Sequence, residues 1–175
     1  MYSRGRFLFG IGVGSLREEA KVLGVDFDHR WTQAKDSVLA MKELWTQDQS
    51  EYHGRYYGFP PLYCYPKPAT HPYPPIILGG NSPNVFKRIV AWGDGWIVNV
   101  TLERVAEARA EIERLCQRTG RDPSSVEISV MGVPPDPEAI ESYRDAGADR
   151  MILGLESALD DQDLPEMERL AERFL

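Results

Sequence analysis

Cysteine is scarce in this chain: its 175 residues include two, Cys64 and Cys116. They form no CxxC pair, and His29, His53 and His71 show no ligand spacing near them. That leaves no zinc pattern and no disulfide framework, so no metal site is expected. Both thiols read as structural, and the pattern suits a reducing cytoplasm. Long apolar runs are missing as well. No stretch approaches the roughly 18 residues of a membrane span. The opening Met1-Tyr2-Ser3-Arg4-Gly5-Arg6 lacks the apolar core of a signal peptide. A cytoplasmic protein without membrane contact is the expectation. A basic excess is also lacking. Lys and Arg number 20 against 27 Asp and Glu, a formal net charge of −7, with the cations scattered among the acids. Nucleic-acid binding needs clustered cations against phosphate, so it is not expected.

Other signatures are absent too. No Gly-x-Ser-x-Gly elbow occurs. Gly10-Ile11-Gly12-Val13-Gly14 contains G-x-G, but Arg17 stands where a dinucleotide fingerprint needs its last glycine. Glu18-Glu19 is an acidic pair, but sequence neighbours do not face each other on a helix, so it reads as a solvated face.

What is present is an alternation of short apolar runs and helical stripes. The length suits one domain, residues 1–175, with its own core. Phe7-Leu8-Phe9-Gly10-Ile11 reads as a buried strand ending in glycines. From about Trp31, Ala34, Val38, Met41 and Trp45 recur at helical steps, and the helix ends before Gln47. Residues 51–75 interrupt the pattern. Glu51 to Phe59 reads as a hairpin around Gly54. The proline-rich stretch after it, from Pro60 to Pro75, cannot be helix and is expected to lie extended at the surface. At this length the segment looks like an inserted functional loop, with His53 and His71 in it as possible substrate contacts.

Strict alternation then resumes. Ile76-Ile77-Leu78 is a strand ending at Gly79-Gly80. Asn81 or Ser82 is expected to cap a helix with Pro83 at its first position, Val85, Ile89 and Trp92 inward, and Gly93 as its stop. A strand over residues 95–100 precedes a helix capped by Thr101. Its stripe is Val105, Ala108, Ile112 and Leu115, and Gly120 ends it. A strand over residues 126–133 leads to a helix opened by Asp136-Pro137, with Ile140 and Tyr143 inward. Residues 151–155 form the last strand, and Leu164, Met167, Leu170 and Phe174 mark a closing helix. Trp45, Trp92 and Trp96 fall on inward positions, as core residues do. Five apolar strands, each followed by helix, imply an α/β fold with a parallel sheet. Two architectures fit: a (β/α) barrel and a doubly wound open sheet. A full barrel needs eight units and about 250 residues.

In either architecture ligands bind beyond the C-terminal strand ends. Gly79-Gly80-Asn81-Ser82-Pro83 is the most informative such end. Two glycines allow close backbone approach, Asn and Ser add donors, and a helix N-terminus follows, which together suit an anion such as phosphate. A tight turn with an ordinary cap would use the same residues. Gly12 and Gly14 end the first strand, where something flat could pass close to the backbone, or where packing alone could require them.

With these residues placed, the sequence resembles the luciferase-like monooxygenase superfamily, and most closely its coenzyme F420-dependent oxidoreductase branch. Four segments carry the likeness, in order. They are residues 5–14 with Glu18-Glu19 and Leu23-Gly24; Leu44-Trp45 with Tyr52-His53-Gly54-Arg55-Tyr56-Tyr57; Pro66-Lys67-Pro68 leading into residues 74–82; and Gly93-Asp94-Gly95-Trp96. The resemblance implies a TIM-type (β/α)8 barrel, here a partial barrel of about five parallel strands with the inserted loop. It implies F420, or alternatively FMN, at the C-terminal face, with Gly12, Gly14, Gly79, Gly80, Asn81 and Ser82 against the cofactor's phosphate-bearing tail. Activity would be hydride transfer between a deazaflavin and an organic substrate, or an FMN-dependent monooxygenation. In the sugar-phosphate branch a catalytic Glu follows the second glycine. Ser15 stands there in this chain, so that substrate class is not implied and no catalytic residue is nominated.

The same resemblance makes the first strand here the fourth of the family's eight. The outer strands would then lack their usual neighbours, and exposed apolar edges invite association. A homo-oligomer, most simply a dimer, is the expectation. A non-catalytic half-barrel that binds a phosphorylated ligand or a partner chain is the reading from another functional class.

Overall fold

A computed structural model describes residues 3–155 and 163–174. In chain order the elements are β1 (Phe9–Ile11), α1 (Arg17–Val22), α2 (Arg30–Thr46), β2 (Gln49–His53), β3 (Gly58–Tyr63), β4 (Ile76–Gly79), α3 (Val85–Trp92), β5 (Gly95–Val98), α4 (Leu102–Thr119), β6 (Glu127–Val133), α5 (Pro137–Asp145), β7 (Arg150–Leu153) and α6 (Asp163–Phe174). The chain divides into two compact units. One runs to Gly79 and includes Ala91–Asp94; the other comprises Gly80–Val90 and the residues from Gly95 onward.

In the first unit β1 pairs with β4 in parallel, Phe9 opposite Ile76 and Ile11 opposite Leu78. Ile76, Ile77 and Leu78 are all buried, the continuous apolar run of a strand covered on both faces. α2 packs Val38 and Ala40 fully inward, while Ala34, Met41 and Trp45 are half-buried. Trp45 meets the edge of Phe9, with ring centres 5.8 Å apart. β1 begins at Phe9, two residues later than the apolar run, where pairing with Ile76 starts; Phe7 is 52% exposed.

β2 and β3 form the expected hairpin, antiparallel, with His53 opposite Gly58. β3 takes in Pro60 and Pro61, which the sequence pattern assigns to the extended stretch. A two-stranded ribbon is all edge, so prolines cost it little ladder bonding. Asp36 of α2 holds the hairpin tip. Its carboxylate accepts the Tyr52 hydroxyl at 2.8 Å and the backbone N–H groups of Arg55, Tyr56 and Tyr57 at 3.3, 2.7 and 3.0 Å. Gly54 is required there, because a Cβ would stand 2.3 Å from Asp36 Oδ1.

In the second unit β5, β6 and β7 pair in parallel, Gly95 opposite Glu127 and Ser129 opposite Arg150. α4 is the clearest success of the periodicity. Val105, Ala108, Ile112 and Leu115 are all buried, and Gly120 at φ +71° ends the helix left-handed. Truncating one such aliphatic residue to alanine costs about 2–5 kcal/mol. Asp136 caps α5 by accepting from the Ala139 N–H at 2.9 Å, with Pro137 at the first helical position. Thr101 precedes α4 but makes no side-chain cap bond. On α6 Leu170 is buried, whereas Leu164 and Met167 are 64% and 53% exposed, so only part of that stripe faces the core.

One device recurs, once in each unit. The N–H of Asp94 donates to the Ile76 carbonyl at 2.7 Å, and Asp94 Oδ2 accepts from the Ile76 N–H at 3.0 Å. Asp149 does the same to Ile128, at 2.9 and 2.7 Å. In both cases an aspartate just before a strand clasps the start of the preceding βα unit's strand, satisfying backbone groups that the sheet ladder leaves over.

Candidate functional site

β4 ends at Gly79, and the chain leaves it through Gly80 at φ +102°, a conformation glycine adopts without strain. A Cβ built on Gly80 meets nothing within 4 Å, so the space over this turn is open. Asn81 is exposed and Ser82 half-buried. The sequence pattern places Pro83 inside the helix. α3 instead begins at Val85, whose N–H donates to the Ser82 carbonyl at 2.9 Å, so Ser82, Pro83 and Asn84 form a turn ahead of it. The Ser82 hydroxyl accepts from Arg88 Nη1 at 3.0 Å. Expected inward residues Val85, Ile89 and Trp92 are all buried, and α3 stops before Gly93.

Three side chains from elsewhere in the second unit converge on this turn. Trp96 of β5 is wholly buried, and its indole Nε1 donates to the Gly80 carbonyl at 2.7 Å. Its ring meets Phe86 edge-on, with centres 4.9 Å apart. Arg104, in the first turn of α4, donates from Nε and Nη2 to Asn81 Oδ1 at 3.3 and 3.2 Å. Its guanidinium lies 5.3 Å from the Phe86 ring centre and 5.8 Å from that of Trp96, within cation–π range. It also reaches Glu107 Oε2 at 3.1 Å. Arg88 of α3 is the third. The sequence pattern singled out neither arginine, and read Trp96 as core alone. A buried indole needs an acceptor, which was the one available signal.

Of the first-unit candidates, Gly12 and Gly79 each follow a residue of the registered pair Ile11 and Leu78, so they end neighbouring parallel strands. Gly12 and Gly14 are exposed, and a Cβ on either meets nothing within 4 Å. Gly14 stands at φ +71°, and its carbonyl accepts from Arg30 Nε at 3.3 Å. These residues end in open space rather than in packed side chains. Ser15 is exposed.

The remaining candidates do not join a site. Glu18 and Glu19 are exposed on α1. His53 pairs with Glu51 at 2.8 Å on the exposed face of the hairpin, and His71 is exposed in the proline-rich segment. Cys116 is buried, and that burial pushes its thiol above the usual value of 9.0. No helix among the described residues is long and apolar enough to cross a membrane.

Comparison with known proteins bears on this arrangement. The family model described as luciferase-like monooxygenase matches residues 2–171. A Mycobacterium tuberculosis protein described as uncharacterized is 30% identical over 174 residues, covering 98% of this chain and 61% of the relative. An F420-dependent glucose-6-phosphate dehydrogenase of Amycolatopsis mediterranei is 28% identical over 184 residues, covering 99% of this chain and 54% of the relative. An FMNH2-dependent dimethylsulfone monooxygenase of Pseudomonas putida is 31% identical over 84 residues, covering 46% and 23%. Among solved structures, a monooxygenase from Streptomyces bottropensis matches with a TM-score of 0.60 at 19% identity, over 98% of this chain and 53% of the other. An F420-dependent secondary alcohol dehydrogenase, solved with an F420-acetone adduct, matches with a TM-score of 0.60 at 19% identity, over 96% and 61%. These likenesses give the fold: α/β of the (β/α)-barrel type, in part. The chain spans less than two thirds of the length of these relatives, which include both F420- and FMN-dependent enzymes.

Proposed function

This chain belongs to the luciferase-like monooxygenase family, and on that premise we propose that it receives the phosphate-bearing tail of coenzyme F420 at the turn after β4, as part of an oxidoreductase. One observation carries the reading. The turn at Gly80-Asn81-Ser82 lies open, is flanked by two guanidinium groups, and stands at the C-terminal end of a parallel strand. Such strand ends are where α/β enzymes bind ligands, and cationic donors there suit phosphate. Gly80, Asn81 and Ser82 would hold the tail; in the first unit Gly12, Gly14 and Gly79 end two strands, the other cofactor-facing glycines of this reading. The bound cofactor supplies hydride transfer to or from an organic substrate, while these residues supply binding and orientation.

F420 is favoured over FMN by coverage. The F420-dependent relative aligns along 99% of this chain, the FMNH2-dependent one along 46%. The sugar-phosphate substrate of the former is not carried over, because Ser15 replaces the acidic residue that would serve it. FMN is the second reading, favoured by that Pseudomonas relative. Titrating the chain with F420 and with FMN, while following ring fluorescence, tests both. Saturable F420 binding tighter than FMN binding supports the proposal. The reverse order transfers it to FMN. Binding of neither by the folded chain refutes it, and leaves the non-catalytic half-barrel.

A further inference from the structure

We propose that Arg104 is the residue that makes the turn at residues 80–82 selective for a negatively charged ligand. The inference rests on the cofactor-tail reading above and names the group that sets its specificity.

Donors and acceptors at this turn are unequally engaged. A turn carrying Asn, Ser and backbone carbonyls ordinarily offers both kinds of group, and so suits sugar hydroxyls as well as anions. Here four acceptors of the turn are engaged from within the protein. Trp96 Nε1 occupies the Gly80 carbonyl at 2.7 Å. The Val85 N–H occupies the Ser82 carbonyl at 2.9 Å. Arg88 occupies the Ser82 hydroxyl oxygen at 3.0 Å. Arg104 occupies Asn81 Oδ1 with two N–H groups, at 3.3 and 3.2 Å.

The Arg104 contact decides the orientation of the amide. Arginine has donors only, so the asparagine must turn its oxygen towards it and its Nδ2 hydrogens away. The side chains of the turn then offer the Asn81 amide hydrogens and the Ser82 hydroxyl hydrogen. A phosphate, which only needs to accept, finds a donor on each of these two side chains. Arg104 adds its own charge beside it, part of which is shared with Glu107 Oε2 at 3.1 Å. Its guanidinium is held against Phe86 and Trp96, so its position is fixed by rings that are themselves buried. Arg104 is thus a positioning residue through Asn81 and a source of positive potential.

The test compares two ligands that differ in the tail: F420, and its ring-and-ribityl core without phosphate. Inorganic phosphate is titrated separately, following the Asn81 side-chain amide resonances. The native chain should bind F420 about tenfold or more tighter than the core, the scale of one charge-assisted hydrogen bond. Phosphate should move the Asn81 resonances. Arg104→Gln should lose most of that ratio and of the phosphate response, while its affinity for the core stays unchanged. Arg104→Lys, which keeps the charge but not the paired geometry, should recover part of the ratio. Affinity for the core serves as the internal check on folding. If both variants keep the native ratio, the role of Arg104 is refuted while the tail site stands. If the native chain shows neither a tail preference nor a phosphate response, the tail site and this inference fall together.

Discussion

The indole Nε1 of Trp96 donates to the carbonyl oxygen of Gly80 at 2.7 Å, joining the buried centre of β5 to the exposed turn that follows β4. One side chain therefore serves the core and the candidate site at once. Trp96→Phe keeps most of the apolar bulk and removes the donor. Losing the partner of the Gly80 carbonyl should cost about 1–3 kcal/mol, visible in urea unfolding. Cofactor-tail affinity should fall in the same variant. Unchanged values for both would show that the bond has no role.

Two glycines at strand ends should respond differently to alanine. Gly80 stands at φ +102°, so Gly80→Ala should destabilise by about 1–2 kcal/mol although its Cβ has open space. Gly12 carries no such backbone demand and its Cβ also meets nothing. Gly12→Ala should leave stability within about 0.5 kcal/mol of native. Denaturation curves of the two variants check this.

Asp36 should give the first unit a distinct acid response. Burial works to raise its carboxyl, but the Tyr56 N–H, the Tyr52 hydroxyl, and the N–H groups of Tyr57 and Arg55 together outweigh it. The pKa lies below the ordinary 3.8. A depressed folded value means the stabilisation is full above the unfolded pKa and is lost as pH falls through the folded one. The Asp36 contribution to stability should therefore be lost as pH falls below 3.8, and be absent in Asp36→Asn. Burial, then the bond to Asp36 and the charge of that carboxylate, push the Tyr52 phenol up to about 12. Ultraviolet titration should find Tyr52 ionising that late, and Asp36→Asn should bring it down.

Asp149 holds two partners, the Ile128 N–H at 2.7 Å and Arg109 Nη2 at 2.5 Å. Arg109 also donates to the carbonyls of Gly147 and Val126. Asp149→Ala should cost about 1–3 kcal/mol in chemical denaturation, because it leaves the Ile128 N–H without this acceptor and takes the carboxylate from a half-buried arginine. Asp149→Asn keeps an acceptor for Ile128 and should cost less.

The second unit leaves apolar surface uncovered. Met131 and Ile152 lie opposite each other in the β6–β7 register and are 40% and 39% exposed. We propose that the chain self-associates to cover such positions. Sedimentation equilibrium at micromolar concentration should show a dimer or larger species, and Ile152→Glu should shift it towards monomer. A monomeric native chain would refute this.

The order of elements was legible in the residues. α4 follows from four apolar residues at helical spacing and a terminal glycine, and α5 from Asp136-Pro137 at its start, because helix stripes and caps are local patterns. The hairpin around Gly54 was legible for the same reason. The ends of β1 and α3 were less so: Phe7 reads as strand but stays outside it, and Pro83 suits a first helical position but sits in the turn. Nothing local tells how far a strand's ladder extends or where a turn closes.

By itself, the sequence determined a parallel βα chain, a glycine-rich end after each of two strands, and the family they resemble. Only the tertiary structure decided which side chains attend the turn after β4. Arg104 lies 23 residues from Asn81 and Trp96 lies 16 from Gly80, and no short-range pattern couples positions so far apart. Their meeting is set by the packing of α4 and β5, which share one core. The same holds for Asp36, which reaches the hairpin tip across about 20 residues of chain. Periodicity fixes which face of an element is apolar; the identity of the polar groups that meet at its ends depends on how those faces are assembled.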